Sequence, residues 1–219
     1  MKKRSLLSML FLVTLSGCGS TTVKPNEHQT IYEDLKNCTN VSIKQTLTRY
    51  NEKGEYASEY YEIKIDKNKL YTHVYADEVW PENVIHNLIT DHESVLVFDE
   101  DALEESKNVD AILNYVDCDI YSKKTKDDNW SHENGKQNAN NLNVQSYISF
   151  VAIDFEALAY DEENKAYTYE INGDHISLQY KNNKLVKYNV TNKFDDRIVS
   201  SYTWELYDYG STSIKIPKI

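Results

Sequence analysis

Tyr167-Thr168-Tyr169-Glu170-Ile171-Asn172-Gly173-Asp174-His175-Ile176-Ser177-Leu178-Gln179-Tyr180 decides the fold. Tyr167, Tyr169 and Ile171 alternate with polar residues, Asn172-Gly173-Asp174 supplies turn residues, and Ile176, Leu178 and Tyr180 resume the alternation. That pattern reads as a β-hairpin with one wet and one buried face. Going outward, Asn182-Asn183 makes the next turn. Val186, Tyr188 and Val190 mark a third strand, Tyr202, Trp204 and Leu206 a fourth, and Ile214 with Ile216 a short last one. Five strands joined in order predict an antiparallel meander whose apolar face needs a cover.

The same period appears earlier. Val41, Ile43 and Leu47 mark a strand, and Tyr61, Ile63 and Ile65 lead through Asp66-Lys67-Asn68 to another over residues 70–76. Residues 31–38 read as a short helix. The middle third reads as more helical. Pro81 suits a first helical position before Val84, Ile85, Leu88 and Ile89. After a strand over 95–98, Asp101 with Glu104 suggests a helix cap, and Leu103, Val109, Ile112, Leu113 and Val116 suggest an apolar helix face. Residues 125–143 read as a polar, Asn-rich loop interrupted by Trp130, and 147–153 as a short helix or a strand. The expected class is α+β: a curved antiparallel sheet, an incomplete barrel, with the middle-third helices packed on one face.

The chain starts with Met1-Lys2-Lys3-Arg4, an apolar run over 6–15, and Leu15-Ser16-Gly17-Cys18. The order is that of a secretory signal. About ten apolar residues fall short of the roughly 20 that a membrane-spanning helix needs. Leu15-Ser16-Gly17-Cys18 resembles the lipobox of bacterial lipoproteins, which implies cleavage between Gly17 and Cys18 and a diacylglyceryl group, with palmitate-type chains, on the Cys18 thiol. The expected division is a signal peptide over 1–17, a lipidated flexible tether over 18–29 and a single domain over 30–219, held on the extracytoplasmic side of the cell membrane.

Without Lys2, Lys3 and Arg4 the chain carries 21 basic and 35 acidic residues, a formal charge of −14 against −11 for the whole sequence. Such a surface repels nucleic acid and anionic headgroups, so attachment falls to the acyl chains. Tyrosine is frequent at 18, while glycine and proline number 6 and 3. An AT-rich genome would produce that bias without any functional cause; a tyrosine-lined ligand surface is the minority reading. Beyond Cys18 only Cys38 and Cys118 remain. Outside the cytoplasm they are candidates for a disulfide closing a loop of about 80 residues, or two small buried hydrophobes.

His28, His73, His86, His92, His132 and His175 show no ligand spacing, so no metal is expected. The acidic group Asp99, Glu100, Asp101, Glu104 and Glu105 lacks the alternation and glycine of a calcium loop. Asp117 and Asp119 share one strand face without a pocket to tune them. No nucleophile elbow, phosphate loop or dinucleotide fingerprint occurs, so neither catalysis nor a cofactor is expected. Asn37-Cys38-Thr39, Asn40-Val41-Ser42 and Asn189-Val190-Thr191 match a glycosylation pattern that bacterial lipoproteins do not normally use.

The C-terminal run 202–217, with its aromatic-rich strand, Tyr209-Gly210 corner and Ile214-Lys215-Ile216-Pro217 finish, is similar to the closing strands of LolA/LppX-like lipoproteins. The lipobox, the helix before the long strands and residues 155–160 ahead of Asp161-Glu162-Glu163-Asn164 extend the similarity. It covers most of the chain by order of elements and about 60 residues by pattern. The resemblance implies an incomplete barrel closed by helices, with a lipid or other hydrophobic ligand as partner in the space between. Ile63, Ile65, Val74, Ile171, Leu178, Val186, Tyr188 and Trp204 would line it. Tyrosines and Thr72 on the inward faces depart from an all-aliphatic lining. They leave a second reading open: a domain with a filled core that senses or binds a protein partner or an envelope polymer.

Overall fold

Residues that take up positive φ mark where this chain reverses. Asn172 and Gly173 (φ 52° and 86°), Asn182 and Asn183 (52° and 55°), and Asp195 and Asp196 (48° and 62°) are pairs in the left-handed region. Two such residues form the hairpin turn whose twist matches that of the flanking strands. Lys67 (φ 56°) serves the turn after Asp66. The computed structural model describes residues 23–54, 56–76, 91–107, 114–148 and 153–219.

Among the described residues, the strands are β1 (Asn40–Tyr50), β2 (Tyr56–Asp66), β3 (Lys69–Ala76), β4 (His92–Phe98), β5 (Tyr115–Lys124), β6 (Ser131–Asn138), β7 (Ala159–Asp161), β8 (Ala166–Ile171), β9 (Asp174–Lys181), β10 (Lys184–Phe194) and β11 (Arg197–Tyr207). They form one open antiparallel sheet in the order β6-β5-β4-β3-β2-β1-β11-β10-β9-β8-β7. The first six strands step outward from the centre and the last five step back to it. β1 and β11 join the halves, with Ile43 opposite Leu206 and Gln45 opposite Trp204.

This order forces the chain after β6 to travel from one edge of the sheet to the other. It does so as a strap with two 3-10 turns, Ala139–Leu142 and Val144–Ser146. Val144 and Ile148 of the strap are buried in the main core. Helix α1 (Pro25–Lys36) shares the cover. Its buried residues His28, Ile31 and Leu35 stand three and four positions apart, one helical stripe, while Asn26, Gln29, Thr30, Glu33 and Asp34 face water. Gln145 Nε2 donates to Tyr32 Oη at 3.0 Å, tying strap to helix.

Several expectations change. Residues 25–29, read as tether, belong to α1, and Val23 and His28 are buried, so the domain starts earlier than residue 30. Among the described residues, the cover consists of α1 and the strap, while α2 (Glu100–Ser106) has no fully buried residue and packs only Ala102 and Leu103 against the core. The cap of α2 is Asp99, whose Oδ1 accepts from Ala102 N–H at 2.8 Å, rather than Asp101. Val116 lies in β5 and not on a helix face. The expected helix from Pro81 through Val84, Ile85, Leu88 and Ile89, like Val109, Ile112, Leu113 and His86, lies outside the described residues, as do residues 1–22 with Gly17 and Cys18.

The polar stretch over 131–138 is a strand. β6 is an edge, so both its faces tolerate polar residues and no alternation survives to be read. Gly135 sits opposite Cys118, where a Cβ would stand 2.8 Å from Ile120 Cδ1. Ile214 and Ile216 form no strand. The closing segment is pinned by side chains instead: Thr212 N–H donates to Asn40 Oδ1 at 2.8 Å, Asn40 Nδ2 donates to Thr212 O at 2.9 Å, and Ile214 N–H donates to Asp66 Oδ2 at 3.4 Å. The fifth strand of the C-terminal meander is β7 instead.

Candidate functional site on the covered face

Residues directly opposite one another in a sheet share a face, so the strand registers define rows across the covered side. The base of the face is aliphatic. Val41, Ile65, Leu70 and Leu96 make one row, and Leu206, Ile43 and Ile63 the next. All are buried in one cluster with Ile31 and Leu35 of α1. The rim is aromatic and mixed. Leu178, Tyr188, Trp204, Gln45, Tyr61 and Val74 form a row there, followed by Ile176, Val190, Tyr202, Leu47, Glu59 and Ala76. Tyr61, Val74, Val190 and Tyr202 in these rows are half-buried.

The residues expected to line a ligand space divide accordingly. Leu178, Tyr188, Trp204 and Val74 fall in a single row. Ile63, Ile65 and Leu178 are fully packed, and Tyr188 and Trp204 are buried. Ile171 is half-buried on β8, and Val186 sits at an irregularity of β10 between Leu185 and Lys187. That shift brings Leu185 into the core and leaves Val186 half-buried, on a cleft of about 530 Å³ with Lys44, Gln179 and Glu205. A smaller hollow of about 250 Å³ lies beneath the C-terminal end of α1, between Leu35, Cys38, Leu185 and Tyr209.

The rim rings stack. Tyr188 and Trp204 lie 4.9 Å apart at 18°, and Trp204 and Tyr202 5.8 Å apart at 12°. Burial pushes the Tyr188 phenol up to about 12, so it stays neutral. Close by, Glu59 is buried, paired with the Arg49 guanidinium and accepting from Tyr61 Oη at 3.0 Å. Burial, and then the hydrogen bond to Glu59, raises the Tyr61 phenol. A buried carboxylate satisfied in this way is an internal brace rather than a free acid.

His28 was hidden from sequence reading because it falls in a polar stretch. Its Nδ1 shares a hydrogen bond with Tyr180 Oη at 2.9 Å, and its ring meets Tyr167 edge-on at 4.5 Å. Tyr167 Oη in turn donates to Val23 O at 2.7 Å. Burial lowers the His28 pKa below 6.5, against the raising influence of Glu27. The neutral imidazole is therefore part of the lock that holds the start of α1 on β8 and β9. A histidine at a core-facing position of that stripe was the available signal.

Cys38 and Cys118 are both free, which corrects the disulfide alternative. Burial raises the Cys118 thiol, helped by Asp119 and Asp117. His132 is held by Asp119 at 2.9 Å and His175 by Glu170 at 2.6 Å. His73 lies 3.0 Å from Asp91. Among the described residues, no three His, Cys, Asp or Glu side chains group as metal ligands would, and no helix is long and apolar enough to cross a membrane.

No protein-family model and no curated protein matches the chain. One similar solved structure is a DUF1329 family protein from Desulfovibrio piger ATCC 29098. It is 8% identical, the match covers 84% of this chain and 90% of that one, and the TM-score is 0.24. A score that low carries no argument.

Proposed function

We propose that this chain is an exported lipoprotein, anchored to the outer side of the cell membrane through acyl chains on Cys18, whose covered sheet face acts as a non-catalytic binding module for a lipid or other hydrophobic ligand. The observation that carries the reading is the contrast, on one face of the sheet, between a fully packed aliphatic base and a mixed, ring-rich rim that is only partly buried. Tyr61, Val74, Val190 and Tyr202 stay half-buried there, and a ligand laid on them would take that remaining apolar surface out of water. Strands stepping out from β1 and back to β11, with a helix before them and a strap between the edges, support a LolA-like half-barrel as the finer description.

Val23 is fixed to the domain through Tyr167. Residues 18–22 would then be the whole tether, at most about 17 Å when extended. The domain would stand close to the bilayer, within reach of its lipids. Labelled palmitate should enter the full chain and not a Cys18→Ser variant. Native mass spectrometry of the protein released from the membrane should show a lipid-sized adduct; a clean mass that does not shift with added acyl lipid overturns the ligand reading.

A second reading is favoured by the tip of the β10–β11 hairpin, where Phe194, Ile198 and Val199 are exposed. It makes the protein an interaction or sensor domain with a filled core that binds a protein partner or envelope polymer. A photo-reactive group at position 194 should then capture one reproducible species in whole cells, and capture of lipid alone counts against this reading.

A further inference from the structure

We infer that the indole Nε1 of Trp204 is the polar anchor of the apolar site, donating a hydrogen bond to the carbonyl oxygen of an acyl ester laid along the rim. The inference rests on the reading that the covered face holds an apolar ligand, and it names the ligand's chemistry. Among the described residues, Trp204 Nε1 is the one buried side-chain nitrogen or oxygen with no hydrogen-bond partner. Trp204 itself is 7% exposed. The other buried polar side chains are all engaged: His28 with Tyr180, Ser42 with Thr212, Ser58 with Thr48, and Glu59 with Arg49 and Tyr61. A buried donor left unpaired is costly enough that folded proteins rarely keep one without a use. Phenylalanine would fill the same stacked place between Tyr188 and Tyr202 without that cost.

Indole N–H only donates, so whatever satisfies it brings an acceptor. The surroundings select a neutral one. Directly across the register stands Gln45, uncharged, and the row continues to Tyr61 and Val74. Arg49 lies four residues along β1 from Gln45, about 13 Å at strand rise, and is committed to Glu59. A free carboxylate or phosphate at Trp204 would be buried without a counter-charge. An ester carbonyl supplies a neutral acceptor, and its attached chain would run over the half-buried Val190, Tyr202 and Tyr61 once the rim opens to admit it.

The test compares two probes on the full chain and on Trp204→Phe: methyl palmitate and n-heptadecane, each displacing N-phenyl-1-naphthylamine. The ratio between probes, taken wild type against variant, cancels their difference in solubility. The variant should lose about tenfold in apparent affinity for the ester, the size of one hydrogen bond made in a dry site, with heptadecane affinity and melting temperature unchanged or higher. In ¹⁵N-labelled wild type, one of the three indole resonances should move downfield with the ester and not with the hydrocarbon, which decides the matter even where the variant fails to fold. An ester-to-hydrocarbon ratio unaltered by Trp204→Phe, or an indole spectrum indifferent to the ester, overturns the anchor while the apolar-ligand reading stands. If wild type binds neither the dye nor either probe, the ligand reading fails and takes the anchor with it.

Discussion

The base and the rim of the covered face are built on the same strands, yet they solve different problems. At the base, Val41, Ile43 and Ile65 have no exposed surface, and they interlock with the aliphatic residues of α1 and the strap. At the rim, a few residues further along those strands, rings stand among the aliphatics and Tyr61, Val74 and Tyr202 stay half-buried. Stability resides in the first region. The second keeps apolar surface partly in contact with water.

The largest effect expected from that difference is mutational. Ile65→Ala removes a fully buried side chain from a tight row and should cost about 3 kcal/mol, lowering the melting temperature by roughly 9 °C for a domain of this size. Val74→Ala, two rows away on the next strand, should cost under about 1 kcal/mol. Equal losses in parallel thermal melts would erase the distinction between base and rim.

A ligand sharpens the same comparison. Methyl palmitate at about 100 times its dissociation constant should stabilise the protein by about 2.7 kcal/mol. Val74→Asp, which puts a charge into the rim, should abolish that gain, whereas Ile65→Ala should keep it on a lower baseline. Loss of the gain in both variants would mean that the ligand, if any, binds elsewhere.

pH probes the lock that holds α1 over the sheet. The His28 pKa is lowered in the folded protein from 6.5, so the unfolded chain binds the proton more readily. The stabilisation from keeping His28 neutral is complete above about pH 6.5 and is lost as pH falls from there through the lowered folded value. The melting temperature should therefore drop between pH 7 and pH 5. His28→Phe should start lower, because Tyr180 loses its partner, and fall less steeply. Two parallel curves would remove His28 from the lock.

Much of this architecture was legible, for reasons particular to certain residues. Asn172-Gly173 and Asn182-Asn183 announce left-handed turns, and between them the period of two in β9 is unbroken, so the hairpins could be placed. β6 could not, because Ser131 to Asn138 is polar on both faces of an edge. α1 was cut short because its first core-facing residue is a histidine. The covered face was legible as a set of apolar positions and not as rows. Turns specify only consecutive strands, whereas the pairing of Gln45 with Trp204 joins opposite ends of the chain. Val186 shows a further limit: alternation placed it with Tyr188, and the irregularity beside Leu185 changed its surroundings.

The smallest effect concerns the two ends of β9. One turn, Asn172-Gly173, already has glycine at its second left-handed position, with φ 86°. The other, Asn182-Asn183, has asparagine there at φ 55° and borders the hollow under α1. Asparagine tolerates that conformation better than most residues, but a Cβ still crowds the following carbonyl, and glycine has none. Asn183→Gly should therefore stabilise by about 0.5 kcal/mol, after subtracting the greater freedom glycine gives the unfolded chain. Gly173→Asn should cost a similar amount. Thermal melts of the two variants should shift by about 1–2 °C in opposite directions. A loss from Asn183→Gly would show that the Asn183 side chain supports the α1 end by contacts that outweigh its backbone, and that the two turns are not equivalent.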